Sequence, residues 1–575
     1  MVHPLHAALG LVFVLLVCPL LLLLLVRRLA TPSTAAATVR AREELLSRLP
    51  SPPNRLPVIG HLHLVGSLPH VSLRDLAAKH GRDGLMLLRL GAVPALVVSS
   101  PSTAQAVLRT HDHVFASRPY SAVTEILFYG PADAAFSPYG EHWRQVKKIA
   151  TTHLLTNKKV RSYRHAREHE SSTTAAALHF AGDRHHAKHI TSTVIVAGAD
   201  SAATSSGWIG PPIHWDLRVR GHCEVRLVVA KICDAASKCT AIDLSDLLNT
   251  FTYDIVCHAV SGKLFREQGH NKLFRELVEA NSLLLGGFNL EDHFPMLVKM
   301  DIIKRMVCAK AQKVNKMWDN LLNNIIDEHA SKLVPEHNSE DSDFTDVLLS
   351  IQQEYQLTRD HIKAQLEIMF EAGTDTSFIV LEYAMVQLMR KPHLMNKLQA
   401  EVRSTITKGK EMVTEDDLDS LAYLKAVIKE TLRLHMPGPL LIPHLSMADC
   451  NIKGYTIPSG IRVIINSWAL GRDPSSWEHA DEFMPERFMK CGSATNMDYK
   501  GNDFQYLPFG AGRRICPGMN YATVSIEIML ANLMYHFNWK LPLELIEGGI
   551  SMTELFGMTV RRKEKLLLVP VVPQD

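Results

Sequence analysis

Residues 359–406 repeat apolar side chains at spacings of three and four over a run far longer than any strand, which is the signature of helix. Pro392 lies inside the run; having no N–H and clashing with the preceding turn, it divides the run into two helices. Residues 307–333 carry the same spacing. Short strand-like runs such as ALVVSS at 95–100 and RVIINSW at 462–468 are few, so the expected fold class is mainly α with small β-sheets. No internal repeat is visible.

The N-terminus adds a second constraint. Residues 7–26 are almost unbroken apolar sequence, and about 20 such residues span a bilayer. No Lys or Arg precedes the run, whereas Arg27 and Arg28 follow it, which puts its C-terminal side in the cytosol. A cleaved signal peptide carries its positive charge before the apolar run instead. Residues 1–28 are therefore expected to be a membrane anchor, an N-terminal transmembrane helix. Residues 29–60 follow as a hinge made stiff by Pro50, Pro52, Pro53 and Pro57, and 61–575 form the body.

Lys+Arg 62 against Asp+Glu 59 leaves a net charge of +3, too balanced for the dense basic face that nucleic acid requires. Nine cysteines without a CxxC pair make neither a disulfide framework nor a zinc-finger pattern. They fit a reducing compartment with at most one special cysteine.

Residues 171–224 break the helical texture with a stretch rich in Ser, Thr, Ala, Gly and His. If they are removed, the flanking segments join into one amphipathic helix with Tyr163, Val225, Val228 and Ile232 on one stripe. The segment is read as an insertion, a translated intron or a looped-out stretch. Its His185 and His189 are four apart with Asp183 nearby, but the polar, small-residue surround argues against a metal site.

The chemistry concentrates in LPFGAGRRICPG, residues 507–518. A dinucleotide fingerprint needs a third glycine where Ile515 stands, and no Gly-Lys-Ser/Thr follows for a phosphate-binding loop. What remains is one cysteine, Cys516, before a helical segment whose N-terminal amides and dipole favour a thiolate. Arg514 offers a fork of donors to a carboxylate, and the glycines allow close approach to a flat ligand. A haem-thiolate site and a tight turn with an inert buried cysteine both satisfy these residues.

The pattern Phe509-x-x-Gly512-x-Arg514-x-Cys516-x-Gly518 resembles the haem-binding signature of the cytochrome P-450 monooxygenases, and three further motifs stand in that family's order. In AGTDTS, residues 372–377, the resemblance implies a distal helix over the haem, with Asp375 and Thr376 assisting proton delivery. In KETLRLH, Glu430 and Arg433 share a helix face and would join Arg487 of PERF in a structural lock. In YGEHWRQVKK, Trp143 and Lys147 stand where the family places a tryptophan and a base, often arginine, against one haem propionate. His444 in LIPHLS is the counterpart towards the other. FASRP at 115–119 and residues 454–474 extend the likeness over nearly the whole chain, 171–224 excepted.

The resemblance implies a cytochrome P-450 fold for the body, haem b with Cys516 as axial ligand, and a plant endoplasmic-reticulum enzyme of the A-type group. VRSYRHARE and LIPHLSMADC resemble the grass branch that includes benzoxazinoid-pathway hydroxylases. The expected activity is insertion of one atom of dioxygen into a small apolar plant metabolite. No flavin or nicotinamide motif is present, so electrons would come from NADPH through the membrane-bound cytochrome reductase. Two alternatives stay open: a peroxide-rearranging enzyme of the same fold, which Asp375 with Thr376 argues against, and an inactive binding protein disabled by 171–224.

Overall fold

The computed structural model describes residues 33–162, 240–262, 271–286, 289–296, 301–331, 342–408, 410 and 413–571. The expected anchor at 1–28, the insertion at 171–224 and the helix stripe flanking it lie outside the described residues. Among the described residues no helix is long and apolar enough to cross a membrane.

The stretch expected as a hinge is helical in its first half. Helix α1 (Ser33–Ser47) is an Ala- and Glu-containing run free of proline after its start, and the prolines act only beyond it. Leu46 and Leu49 are buried at 1% and 4% exposure in the same apolar cluster as the main sheet. This end of the hinge is therefore tied to the body.

Strands β1 (Leu85–Leu90) and β2 (Val93–Val98) form an antiparallel hairpin, and β2 pairs in parallel with the later RVII strand, Ala95 facing Arg462 and Val98 facing Ile465. Both faces of this sheet are covered: Leu85, Leu87, Leu96 and Val98 pack into one cluster, and Met86, Leu88, Leu90, Ala95 and Val97 into another. Burial on both sides explains why the two hairpin strands read as continuous apolar runs rather than alternating ones.

The helical body holds the larger core. Helix α2 (Glu141–Ile149) carries Trp143 and Lys147. Helices α3 (Leu244–Ser261), α4 (Asn271–Gly286) and α5 (Asp301–Ser331) surround the long α6 (Arg359–Arg390). Helix α6 begins with Thr358, whose hydroxyl accepts from His361 N–H in a capping box, and is buried nearly all round, acids included, because other helices cover it. Pro392 starts α7 (Pro392–Thr405), so the break falls where the missing N–H costs nothing. Helix α8 (Ala422–Leu434) and the last long helix, α9 (Met519–His536), also pack against α6.

Candidate active site

The Cys516 loop and the middle of α6 are walls of one cavity of about 330 Å³. Along α6 nearly every residue is buried, yet Ala372 is exposed and Gly373 and Thr376 are half-buried, and all three line this cavity. The same wall bears Glu371 and Asp375.

Cys516 is half-buried and opens on the cavity. Its thiol receives hydrogen bonds from the N–H groups of Gly518 and Met519, at the start of α9, and lies near Lys147; these lower its pKa, but burial outweighs them and pushes it up. The helix N-terminus is thus aimed at sulfur as the sequence suggested.

Gly510 and Gly518 line the cavity, whereas Gly512 has a role the sequence did not show. Gly510 and Gly512 have φ of +69° and +67°, which favours glycine by itself. A Cβ on Gly512 would lie 2.0 Å from the Leu108 carbonyl oxygen. This glycine makes room for the backbone behind the loop, not for a ligand in front of it. Cys516 N–H in turn donates to Phe509 O at 3.0 Å, which closes the turn; Phe509 lines the cavity and packs edge-on against Tyr499.

Arg514 lies flat over the Trp143 ring at 4.1 Å and donates from Nε to Ala116 O and from Nη2 to Ser137 O. Its Nη1 is buried with no partner. Burial lowers this guanidinium to about 10, and the neighbouring Arg118, which donates to Ala135, Ile442 and Pro443 carbonyls, is lowered further by burial and by Arg514 itself. Among the described residues neither has an ion pair. Asp133, near Arg514, is itself pushed up to about 6 by burial, and its Oδ2 has no partner. A buried and a half-buried cation lining a cavity with so little negative charge between them form a cradle for an anionic group.

The other expected propionate contacts stand around this cradle and are directed at backbone. Trp143 Nε1 donates to Ala134 O at 3.1 Å, and Lys147 Nζ to Ile515 O at 2.8 Å. His444 Nδ1 lies 2.7 Å from Phe115 O, and burial with Arg118 alongside depresses it to about 3, so it is neutral. Arg118 stands in the FASRP motif but carried no expected role; its part becomes visible only when the chain brings it beside Arg514.

Glu430, Arg433 and Arg487 meet as expected, away from the cavity. Arg433 grips Glu430 from Nε and Nη2, both at 2.8 Å, and gives its remaining N–H groups to the carbonyls of Gly471, Ala480 and Glu482. Arg487 Nε adds a contact to Glu430 at 3.1 Å, and Met484 N–H another at 2.7 Å.

A haem would need a soft axial donor, buried cations for its two carboxylates, and an apolar slot for its faces. Cys516, the unpaired Nη1 of Arg514 with Arg118, and the slot between the loop and α6 meet those needs, so the residues fit the group. When bound, haem with a thiolate ligand supplies dioxygen activation.

The model of the cytochrome P450 family matches residues 50–200 and 222–564. The chain belongs to the cytochrome P450 family. As a P450 it is 49% identical over 559 residues to indole-2-monooxygenase of Zea mays, covering 96% of this chain and 94% of that protein. It is also 49% identical to indolin-2-one monooxygenase of Zea mays, covering 93% and 91%, and 39% identical to premnaspirodiene oxygenase of Hyoscyamus muticus, covering 91% and 92%. These likenesses put it in the plant A-type group and the grass branch that the motifs suggested. A zebrafish cytochrome P450 solved with abiraterone shares the fold, with TM-score 0.65 at 22% identity over 89% of this chain and all of that one. The P450 is a haem-thiolate monooxygenase, and its family uses a redox partner, dioxygen and small substrates.

On α6 the acid and the alcohol have separate environments. Thr376 Oγ1 donates to Ala372 O at 2.7 Å on the cavity wall. Asp375 Oδ2 accepts from Thr559 Oγ1, which lies 3.1 Å from Ser282 Oγ. Burial raises the Asp375 carboxyl while that hydrogen bond lowers it, leaving a group able to hold or release a proton beside the cavity. Two more acids were missed on the sequence: Glu371 and Glu367 precede Asp375 by one and two turns, a helical spacing that could have found them.

Proposed function

We propose that this monooxygenase hydroxylates a small, flat, indole-derived metabolite, with Cys516 as axial ligand and electrons delivered by an NADPH-cytochrome reductase at the endoplasmic-reticulum membrane. The observation that carries the site assignment is the unpaired, buried Nη1 of Arg514 beside the cavity that Cys516 opens on. The substrate class is supported by the printed activities of the maize relatives at 49% identity.

In this reading Arg514 and Arg118 neutralise the two carboxylates of the cofactor, with Trp143, Lys147 and His444 completing the rim. Thr376 Oγ1 and Asp375 Oδ2 deliver protons from the α6 side, and the apolar remainder of the cavity excludes bulk water. The anchor at 1–28 and the hinge at 29–60 hold the body to the membrane, and 171–224 loops out of it. The family model leaves 201–221 unmatched, inside that segment.

Carbon monoxide difference spectra of the reduced protein, with and without residues 171–224, test the assignment. The thiolate-haem absorbance is expected in at least the shortened form and absent from Cys516→Ala. Its absence from both forms, or its survival in Cys516→Ala, would sink the reading. Turnover of indole with purified reductase and NADPH tests the substrate class, and failure to oxidise any indole-type compound in a spectrally intact enzyme overturns it.

A further inference from the structure

Glu371 is 7% exposed and lines the cavity one helical turn before Asp375. Its Oε2 accepts from Asn281 Nδ2 at 3.1 Å, and the same amide group donates to Glu367 Oε1 at 2.9 Å. Among the described residues nothing donates to or accepts from Glu371 Oε1. The same cavity wall carries the aliphatic side chains of Val256, Val260, Leu285 and Ile368. A carboxyl oxygen with no protein partner on a cavity wall can take one from a ligand.

The charge state follows from the neighbours. One amide cannot support two carboxylates, and Asp375 and Asp133 add further negative charge nearby. Burial and these like charges push Glu371 up to about 8, and Glu367 well above the carboxylate range. At neutral pH Glu371 therefore keeps its proton.

We propose that Glu371 is a polar anchor in the substrate cavity for a neutral ligand carrying N–H and C=O on adjacent ring atoms, the edge of a lactam. A protonated carboxyl has one O–H donor, at Oε1, and a remaining lone pair on Oε2. These two match the C=O and N–H of a lactam edge in a two-point contact. An ionised carboxylate would select a cation, and a plain hydrocarbon would leave the acid unsatisfied, so the protonated form discriminates by chemistry rather than by size. The anchor deepens the monooxygenase reading and rests on it for the identity of the cavity as the substrate site.

The test is equilibrium dialysis of the haem-loaded full chain with three probes of one shape: the benzo-fused lactam hydrocarbostyril, its N-methyl derivative and tetralin. The wild type is expected to bind hydrocarbostyril about 10-fold tighter than either control. Glu371→Leu should weaken the lactam by about 10-fold and tetralin by less than about 3-fold. Glu371→Gln, whose amide presents an N–H donor beside a carbonyl acceptor, should keep the preference to within about 3-fold. Equal losses for lactam and hydrocarbon in Glu371→Leu would show a structural role and overturn the proposal. If the leucine variant does not fold, the wild type decides: no preference for the lactam over its N-methyl derivative overturns the anchor. Failure of the monooxygenase reading has another signature, a preserved lactam preference in a protein that oxidises nothing with reductase and NADPH.

Discussion

Two arginines, the fully buried Arg433 and the half-buried Arg514, stand in opposite states. Arg433 is 0% exposed and all five of its N–H donors have partners, two of them on Glu430. Arg514 packs on Trp143 with two carbonyl partners and an orphaned Nη1, and has no carboxylate in contact. A closed network is complete within the chain and serves the fold; an open one lacks a partner the chain does not contain. The difference separates architecture from site without reference to conservation.

The contrast breaks first at the closed end. Arg433→Ala leaves Glu430 buried with residual contacts from Arg487 and Met484 N–H, and takes the side-chain donors from the Gly471 and Ala480 carbonyls, a loss of roughly 3–5 kcal/mol. No soluble, haem-loaded protein is expected at growth temperature, as judged by circular dichroism and haem content. Recovery of a stable, fully loaded variant would show that the lock is dispensable.

Cys516→Ala acts in the reverse sense. The loop is held by the Cys516 N–H to Phe509 O bond and by positive-φ glycines, none of which needs sulfur. Thiolate absorbance and activity should vanish while urea unfolding of the haem-free protein shifts by no more than about 1 kcal/mol.

Arg514→Leu sharpens the comparison most directly, because its two effects should have different sizes. Haem affinity is expected to fall about 10- to 100-fold through loss of a charge-assisted contact. Stability of the haem-free protein should change by only about 1 kcal/mol, since an uncompensated buried cation leaves along with two hydrogen bonds. Haem transfer to an apoglobin acceptor, set beside urea unfolding, reads the two effects separately.

The remaining effect is in pH. Glu371 has a folded pKa of about 8 against an ordinary 4.5, so between those values the folded state binds more protons than the unfolded one. Its contribution to stability is fully present below about pH 4.5 and is lost as pH rises through about 8. Glu371→Gln should flatten that decline by about 2 kcal/mol between pH 6 and pH 8, measured by urea unfolding in buffers at those two values. An unchanged slope would place the proton elsewhere among Glu367, Asp133 and Asp375.

Much of this was legible because it is local. Glu430 and Arg433 share a helix face, Pro392 starts a new helix, and Cys516 precedes α9 by three residues; each follows from spacing along one element. The reason for Gly512 was not legible, because the atom that requires it is Leu108 O, distant in sequence and brought behind the loop by folding. Arg118 was visible as a residue and invisible as a site member for the same reason. The helical half of the hinge was masked by the prolines that follow it.

By itself, then, the sequence determined the helices, the small sheet's apolar strands, the ion-pair lock and the axial cysteine, since each depends on neighbours within a few residues or on a motif of fixed spacing. Which buried polar atoms end with partners and which without was decided only by tertiary structure. Arg514 and Glu371 line the cavity with polar atoms to spare because segments from α2, α4, α6 and the Cys516 loop converge there, and no one-dimensional pattern records how many donors and acceptors such a convergence leaves over.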